Sequence, residues 1–348
     1  MNRTTEVATT DKVDGQSLGA FLRRVFSSSK VEFLSQHGGW WHAGNGNRWV
    51  LLVDGQIAGY CAVIPTYILV EGDKTPALWW VDLVLAPEYR GLGLQTLFDR
   101  KIQEAANLKL GFPNQLAAKI HRVHGWGVRE DFTTMLLPLQ PSGVKSIKRA
   151  EGMRGLSLQS LAVLFTPWAA RLRSNYGKYI PQSARKIENP HPETLAEIFV
   201  RRKNNLPLTT FRDAGHFQWR FLDAPYRKEL DFYLAGPSSR PTHYLISRYV
   251  EYENIPAVRI LDLTGDLNDS EAIKDLLSLS IKDAVNRGVM QVTLLATLPE
   301  IRSLAKSLGF YFTSKTRFCW TSSDIELNQA LCGRGHWVLA DSDNDPPE

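Results

Sequence analysis

The sequence predicts an α+β (mixed α/β) protein that contains two related domains. Three patterns indicate this: two strands joined by a tight turn near the N-terminus, a strand that leads through a glycine turn into an amphipathic helix, and a partial repeat of these features in the second half. A chain of 348 residues suits two domains. Its hydrophobic content of 43% is that of an ordinary globular protein.

The elements of the first half follow from turn residues and hydrophobic periodicity. Residues 1–12 are polar and are predicted to be disordered. Strands at 49–53 and 56–65 flank Asp54-Gly55, a dipeptide typical of two-residue hairpin turns. Further strands are predicted at 67–71, 78–85 and 133–138, and helices at 17–27, 94–108 and 115–123.

The segment 77–98 is the most informative about function. Its apolar strand ends at Pro87 and is followed by the turn Arg90-Gly91-Leu92-Gly93 and a helix. Backbone N–H groups at a helix N-terminus lack helical partners, and the helix dipole favours an anion there. Glycines allow the backbone to approach a pyrophosphate closely, and Arg90 adds a permanent positive charge. The pattern therefore predicts a phosphate-binding turn.

The second half partly repeats the first, which indicates a duplicated domain. After Asp262 the second copy continues with Leu-Thr-Gly-Asp-Leu-Asn-Asp-Ser, and these acidic residues would repel a pyrophosphate. The second copy is therefore predicted to lack the phosphate site. The matching pairs, at nearly constant separation, are Trp41 with Trp219, Asp82 with Asp262, and Gly125-Trp126 with Gly309-Phe310.

Residues 78–126 resemble the acetyl-CoA-binding core of the GNAT (Gcn5-related N-acetyltransferase) superfamily. That family places Arg or Gln, two residues, Gly, one residue, and then Gly or Ala at a strand-to-helix junction. Here Arg90 and Gly93 match, whereas Gln95 replaces the small last residue. The spacing of the family's next strand-to-helix element is kept by Asn114, His121 and Gly125-Trp126.

The resemblance covers 17–138 and, more loosely, about 205–320, so it implies a tandem GNAT protein with a degenerate C-terminal copy. Each domain would be a mixed, mostly antiparallel sheet flanked by helices. The implied divisions are an N-terminal GNAT domain at 13–140, a basic linker with a helix at 141–180, a degenerate GNAT-like domain at 181–325 and a C-terminal tail at 326–348.

The resemblance also implies acetyl-CoA, a coenzyme A thioester, as the cofactor. Backbone groups of Leu83, Val84 and Leu85 would pair with the pantetheine arm as if it were an added strand. Asn114 would contact the cofactor near its thiol end. The residues expected to hold the pyrophosphate are Arg90, Gly91, Leu92, Gly93, Leu94, Gln95 and Thr96.

Two side chains are candidates for acid–base catalysis of direct acyl transfer. Asp82 is the carboxylate on the cofactor strand and would act as the base; the alternative is a structural role, because Asp262 repeats it in the copy without a phosphate site. His121 stands where the family usually has a tyrosine acid and would protonate the leaving thiolate. Its alternative is a surface or capping histidine. An acceptor cleft would be lined by Trp40, Trp41 and Trp80, for which core packing is the alternative.

The predicted function is transfer of an acyl group, with acetyl as the first expectation, to a primary amine of a small molecule or an amino sugar. Two alternatives stay open. One is an aminoacyl or peptidyl transferase of the tandem-GNAT kind, and the other is an acyl-CoA-binding protein without catalysis.

Composition restricts the partners. A net charge of +5 is too small to indicate nucleic-acid binding. No metal site is predicted, because the three cysteines are far apart and no carboxylate completes a pair of His121 and His124. The sequence has neither a signal peptide nor an apolar run of the ~20 residues that span a bilayer, which predicts a cytoplasmic protein. The helix at 156–172 is expected to pack between the domains, with peripheral membrane contact as the alternative.

Overall fold

The computed structural model describes residues 3–43, 47–70, 72–104, 106–140, 158–202, 208–252, 255–333 and 337–338. The chain separates into two compact units. Unit 1 comprises Met1–Val128, Phe318–Gly335 and Asp345–Glu348, and unit 2 comprises Arg129–Arg317 and His336–Asn344. These units differ from the predicted domains, which are continuous ranges of sequence. Unit 1 includes Phe318–Gly335 from the second half of the chain, and unit 2 begins at Arg129, before the predicted end of the first domain.

Strands and helices are numbered in chain order. The strands are β1 (Thr5–Thr9), β2 (Arg48–Val53), β3 (Gln56–Val70), β4 (Asp73–Leu85), β5 (Leu108–Gly111), β6 (Gly127–Pro138), β7 (Arg185–Ile187), β8 (Leu208–Thr210), β9 (Leu230–Ala235), β10 (His243–Tyr252), β11 (Ile255–Thr264), β12 (Gln291–Ala296), β13 (Tyr311–Ser322) and β14 (Trp337–Val338). The helices are α1 (Gly15–Val25), α2 (Ser28–Trp41), α3 (Gln95–Gln103), α4 (Gln115–Val123), α5 (Leu158–Gly177), α6 (Pro192–Arg202), α7 (Ala214–Phe217), α8 (Ser270–Asn286), α9 (Pro299–Ser307) and α10 (Ile325–Gly333).

The sheet of unit 1 has the order β1-β2-β3-β4-β5, followed by the C-terminal end of β13. Strands β1 to β4 are antiparallel neighbours. Strand β5 runs parallel to β4 and antiparallel to β13. The predicted fold class, a mixed and mostly antiparallel sheet with helices, is confirmed.

The turn between β2 and β3 is the predicted hairpin. Asp54 and Gly55 both have positive φ, at 50° and 80°, which is the conformation that favours Asp-Gly in two-residue turns. The Asp54 carboxylate also accepts a hydrogen bond from the Thr4 backbone N–H at 2.9 Å. Local sequence therefore fixes this turn.

Helices α1 and α2 begin at side-chain caps. The Asp14 carboxylate accepts from the Ser17 N–H at 2.8 Å, and the Ser27 hydroxyl accepts from the Lys30 N–H at 3.3 Å. Such caps stabilise a helix by about 1 kcal/mol each. Helix α1 is predicted from the sequence, but α2 is not, because its Gly38 and Gly39 weaken the helical signal.

Three sequence predictions differ from the structure. The prediction of disorder at 1–12 is wrong, because β1 pairs with β2 from Thr5↔Val53 to Thr9↔Trp49. The strand predicted at 67–71 is the end of β3, which runs without a break to Val70. Helix α3 ends at Gln103, and the fully buried Leu108 starts β5 instead of extending the helix predicted at 94–108.

Unit 1 buries side chains on both faces of its sheet. On β2, Trp49 and Leu51 pack in one cluster with Phe98 of α3. Val50, between them, packs in a second cluster with Phe21 of α1. Successive side chains of a strand point to opposite faces, so the continuous apolar run of β2 is the pattern expected of a strand covered on both sides.

The sheet of unit 2 consists of the N-terminal part of β13, then β6, β12, β11, β10, β9 and β7. Strands β10 and β11 are antiparallel, and β11 and β12 are parallel. Helix α8 connects β11 to β12, and α9 leads from β12 to β13. This succession is the same as β3, β4, α3, β5, α4 and β6 in the first half of the chain.

The linker helix predicted at 156–172 corresponds to α5, which packs against α8. Residues 141–157 of the predicted linker lie outside the described residues, as do 339–348 of the predicted tail. In the part of the chain that the structure describes, no helix is both long enough and apolar enough to cross a bilayer.

Candidate functional site

Strand β4 is paired along one edge and only partly along the other. Its ladder with β3 extends from Asp73 to Leu85. Its ladder with β5 covers only Leu78↔Lys109 and Trp79↔Leu110. Beyond Trp79 the edge of β4 therefore has no strand partner among the described residues, and residues 81–85 are half-buried. A strand edge of this kind offers backbone N–H and C=O groups to an extended ligand.

A β-bulge interrupts β4 within this edge. In the ladder with β3, Ala62 lies opposite Val81 and Tyr60 opposite Val84, so the register shifts between them. Asp82, inside the bulge, has a φ of 56°. Bulges bend a strand and change the direction of its side chains.

The Asp82 carboxylate is buried and ion-paired. Its Oδ1 lies 2.7 Å from Lys30 Nζ, and its Oδ2 lies 2.8 Å from His42 Nε2. The Asp82 side chain is 2% exposed. Burial alone would raise the pKa of Asp82, but the hydrogen bond from His42 and the charge of Lys30 outweigh it and hold this pKa below the usual value. The carboxylate is therefore ionised and already engaged by two partners.

The glycine turn is open and has unused hydrogen-bond donors. Gly91 and Gly93 have φ of 77° and 73°, and a Cβ atom added at either would meet no atom within 4 Å. Among the described residues, the backbone N–H groups from Gly91 to Gln95 donate to no carbonyl; the first helical bonds come from Thr96 and Leu97. Together with the helix dipole, these N–H groups form a suitable anion site.

Arg90 and Gln95 border this turn. Arg90 is exposed, and its Nε donates to the Leu85 carbonyl at 2.9 Å, which ties the turn to the end of β4. Gln95 is the first residue of α3 and is half-buried. Leu94 precedes it without providing a side-chain cap, so the helix N-terminus stays available to an anion.

The equivalent helix of unit 2 begins differently. The Asp269 carboxylate caps α8 by accepting from the Ala272 N–H at 3.1 Å. Asp266, in the same connection, is ion-paired with Arg202 at 2.8 Å. A carboxylate thus occupies the helix N-terminus where an anionic ligand would bind, in agreement with the acidic turn seen in the sequence.

Asn114 has a structural contact in the described chain. It is exposed and caps α4, with its side-chain oxygen accepting from the Ala117 N–H at 2.9 Å. This cap explains an asparagine at the position without a ligand. Its predicted contact with the cofactor stays a prediction.

His121 lies in an aromatic cluster rather than on the surface. It is 6% exposed, and its ring centroid is 4.3 Å from that of Trp126 and 6.0 Å from that of Trp80. Burial lowers the pKa of His121 to about 4, although the charge of Asp99 acts in the opposite direction. The imidazole is therefore neutral at pH 7.

The three tryptophans predicted for an acceptor cleft have different surroundings. Trp41 and Trp80 are 2% and 8% exposed, which is core packing. Trp40 is half-buried, with its ring centroid 6.0 Å from that of Trp41. Of the three, Trp40 has the most surface to offer an acceptor.

Lys30 and His42 belong to the site but are not predicted from the sequence. The signal for Lys30 was its position on the buried face of α2, in register with Leu34, Gly38 and Trp41. A lysine in an apolar stripe needs a buried anion as partner. The described residues contain no cluster of three or more histidine, cysteine and carboxylate side chains that could hold a metal ion.

Comparison with known proteins agrees with the fold. Residues 19–125 match the model of the acetyltransferase (GNAT) family. The structure is similar to a GCN5-related N-acetyltransferase from Anabaena variabilis, with 16% identity and a TM-score of 0.63 over 92% of this chain and 74% of that one. It is also similar to Saccharomyces cerevisiae N-myristoyltransferase with bound myristoyl-CoA, with 13% identity and a TM-score of 0.61 over 91% and 82% of the two chains. No curated protein matches the sequence.

Proposed function

We propose, from the match of residues 19–125 to the model of the acetyltransferase (GNAT) family, that the protein transfers an acetyl group from acetyl-CoA to a primary amine of a small molecule or amino sugar. The more general activity, acyl-CoA-dependent N-acyl transfer, is supported by the family match and by the fold shared with acyltransferases. The acetyl group and the acceptor class are our proposals.

One observation carries the proposal: the uncapped glycine turn lies directly after a strand whose edge beyond Trp79 has no strand partner among the described residues. The N–H groups from Gly91 to Gln95 would hold the pyrophosphate. The edge from Leu83 to Leu85 would pair with the pantetheine arm. Both features fit the two chemical parts of coenzyme A, one a dianion and the other an extended chain of amides.

The chain's own contribution is chiefly to bind and orient the reactants. Acyl-CoA, when bound, supplies an activated thioester carbonyl. Backbone N–H groups along the β4 edge would hydrogen-bond to that carbonyl and would stabilise negative charge on its oxygen. The resulting proximity is a large part of the rate enhancement in such transfers.

The catalytic roles of Asp82 and His121 stay predictions. Asp82 is held by Lys30 and His42, and the neutral, buried His121 has few protons to give to a thiolate at pH 7. The burial of both candidates favours a second function, an acyl-CoA-binding protein without turnover. The tandem arrangement also stays a proposal, which the matching order of elements in unit 2 supports.

The cofactor site is tested by replacing Arg90 with alanine. Arg90→Ala removes a charge-assisted contact to phosphate, so we expect acetyl-CoA affinity to fall roughly 10- to 100-fold. Isothermal titration calorimetry measures the affinity, and Arg240→Ala, at an exposed arginine of unit 2, is the matched control. Circular dichroism verifies that both variants fold. Normal binding by Arg90→Ala would mean that the phosphate site lies elsewhere.

Turnover is tested separately. A thiol reagent follows release of coenzyme A from acetyl-CoA across a panel of small amines and amino sugars. Amine-dependent release supports the transferase. Binding of acetyl-CoA without release on any amine favours the non-catalytic function, and the absence of binding by the wild-type protein would refute both.

A further inference from the structure

We propose that Lys30 and His42 are positioning residues that act through Asp82 to hold the β4 bulge, and with it the strand edge that receives the acyl end of the thioester. This inference rests on the proposed acyltransferase function. We call Lys30, His42, Asn47 and Asp82 the bulge cluster.

The backbone at the cluster is strained. Among the described residues, three that are not glycine have a positive φ: Ala43 at 51°, Asp54 at 50° and Asp82 at 56°. Asp54 lies in a hairpin turn that favours this conformation. Asp82 belongs to the bulge cluster, and Ala43 directly follows its member His42. Strained residues persist where neighbouring contacts fix them, and they are concentrated at functional sites.

The contacts that fix this strain come from both ends of α2. Lys30, near the start of the helix, pairs with Asp82 Oδ1 at 2.7 Å. His42, its C-terminal cap, contacts Asp82 Oδ2 at 2.8 Å. Asn47 Nδ2 in turn donates to the carbonyl of His42 at 2.8 Å and to that of Ala43 at 3.4 Å.

The burial of these side chains favours an indirect role, through the backbone that they hold. The Lys30 and His42 side chains are 4% and 0% exposed, and that of Asp82 is 2% exposed. Residues 81–85 as a whole are half-buried. At Asp82 the exposed part is therefore backbone. The side chains of the bulge cluster fix this backbone from the buried side, and its main-chain groups face the proposed ligand.

Unit 2 provides an internal comparison. Asp262 is also buried and paired with a cation, Arg212, at 2.8 Å, and the β10–β11 register shifts beside it. Asp262, however, is not among the residues with positive φ, and the helix that follows its strand is capped by Asp269. A buried aspartate at a bulge thus occurs in both units. Only the aspartate of unit 1, where the glycine turn is open, has a positive φ.

The test separates positioning from folding. We expect Lys30→Met to lower kcat about 100-fold, the effect of a shift of roughly 1 Å at a reacting group, while coenzyme A affinity stays within about threefold because the glycine turn is unchanged. Lys30→Arg keeps the positive charge and should therefore retain at least a tenth of the wild-type kcat. Arg212→Met, the matched loss of a buried cation in unit 2, should lower thermal stability and leave kcat unchanged.

A milder variant covers the case in which Lys30→Met does not fold. Asn47→Ala leaves the contacts of Asp82 with Lys30 and His42 in place but loosens the backbone at His42 and Ala43, so we expect a 3- to 10-fold lower kcat with unchanged coenzyme A affinity. Wild-type kcat in folded Lys30→Met or in Asn47→Ala overturns the inference. So does an equal loss of kcat in Arg212→Met. Lack of acetyl-CoA binding or turnover by the wild-type protein refutes the proposed function instead, so the two failures are distinct.

Discussion

At the scale of single residues, surroundings decide what a titratable group can do. His121 and Asp82 are both candidates for proton transfer by residue type. In the structure, the imidazole packs on Trp126 and has a pKa of about 4, and the carboxylate is paired with Lys30 and His42. At pH 7 the imidazole is neutral and so is a poor proton donor, and the carboxylate is ionised but already paired, so it is not a free base.

His121 makes the folded protein sensitive to acid. Its pKa is about 4 when folded and about 6.5 when unfolded, so between these values the unfolded chain binds more protons. The free energy of unfolding therefore decreases as the pH falls from about 6.5 towards 4, by about 2 kcal/mol between pH 7 and pH 5. Urea unfolding at the two pH values measures this change.

The control for this prediction lies on the same segment. His121→Phe removes the titrating group and should remove most of the decrease, whereas replacing the exposed His124 by asparagine should leave it intact. Equal pH dependence in His121→Phe and the wild-type protein would contradict the assignment.

At the scale of elements, helix α3 and helix α8 show how one residue changes the use of a helix N-terminus. Helix α3 begins at an open glycine turn without a side-chain cap. Helix α8 begins at Asp269, which satisfies an N–H group and places a negative charge there. The first N-terminus is available to an anion, and the second has an anion of its own.

Close packing between β6 and β13 is also decided at the element scale. A Cβ atom at Gly127 would lie 2.3 Å from the ring of Trp320, so Gly127→Ala should destabilise the protein by about 1–3 kcal/mol. Gly39, in α2, has no atom within 4 Å of such a Cβ. Gly39→Ala should therefore stabilise by about 0.5–1 kcal/mol. Denaturant unfolding of the wild-type protein and of both variants measures these free-energy changes. Equal stability of Gly127→Ala and Gly39→Ala would show that Trp320 moves aside without cost.

At the scale of the whole molecule, unit 1 is completed by residues from the far end of the chain. Phe318, Cys319 and Trp320 are 0%, 1% and 4% exposed. Phe318 packs on Trp79 and Phe112, with centroid distances of 6.0 Å and 5.6 Å. A fragment that ends near residue 140 loses these contacts and the strand that pairs with β5.

We therefore expect the fragment 1–140 to lack a cooperative thermal transition. Its near-ultraviolet circular dichroism should be weak, because the tryptophans of the core would be loosely packed. Production together with the fragment 141–348 should restore both signals. A sharp transition in the isolated fragment would show that the strand from β13 is dispensable.

Local sequence is sufficient for the features that depend on neighbouring residues: the Asp54-Gly55 hairpin, the helix α4, the glycine turn after β4 and the acidic turn after β11. Each is fixed by backbone preferences or charges within a few residues, which a single sequence displays. Tertiary structure decided the rest. Lys30, His42 and Asp82 are brought together from α2, its C-terminal cap and β4, and β13 supplies strand to a unit that begins some 300 residues earlier. Burial sets the protonation state of His121, and the contacts with Lys30 and His42 set that of Asp82. Both depend on contacts between distant segments, which local pattern does not encode.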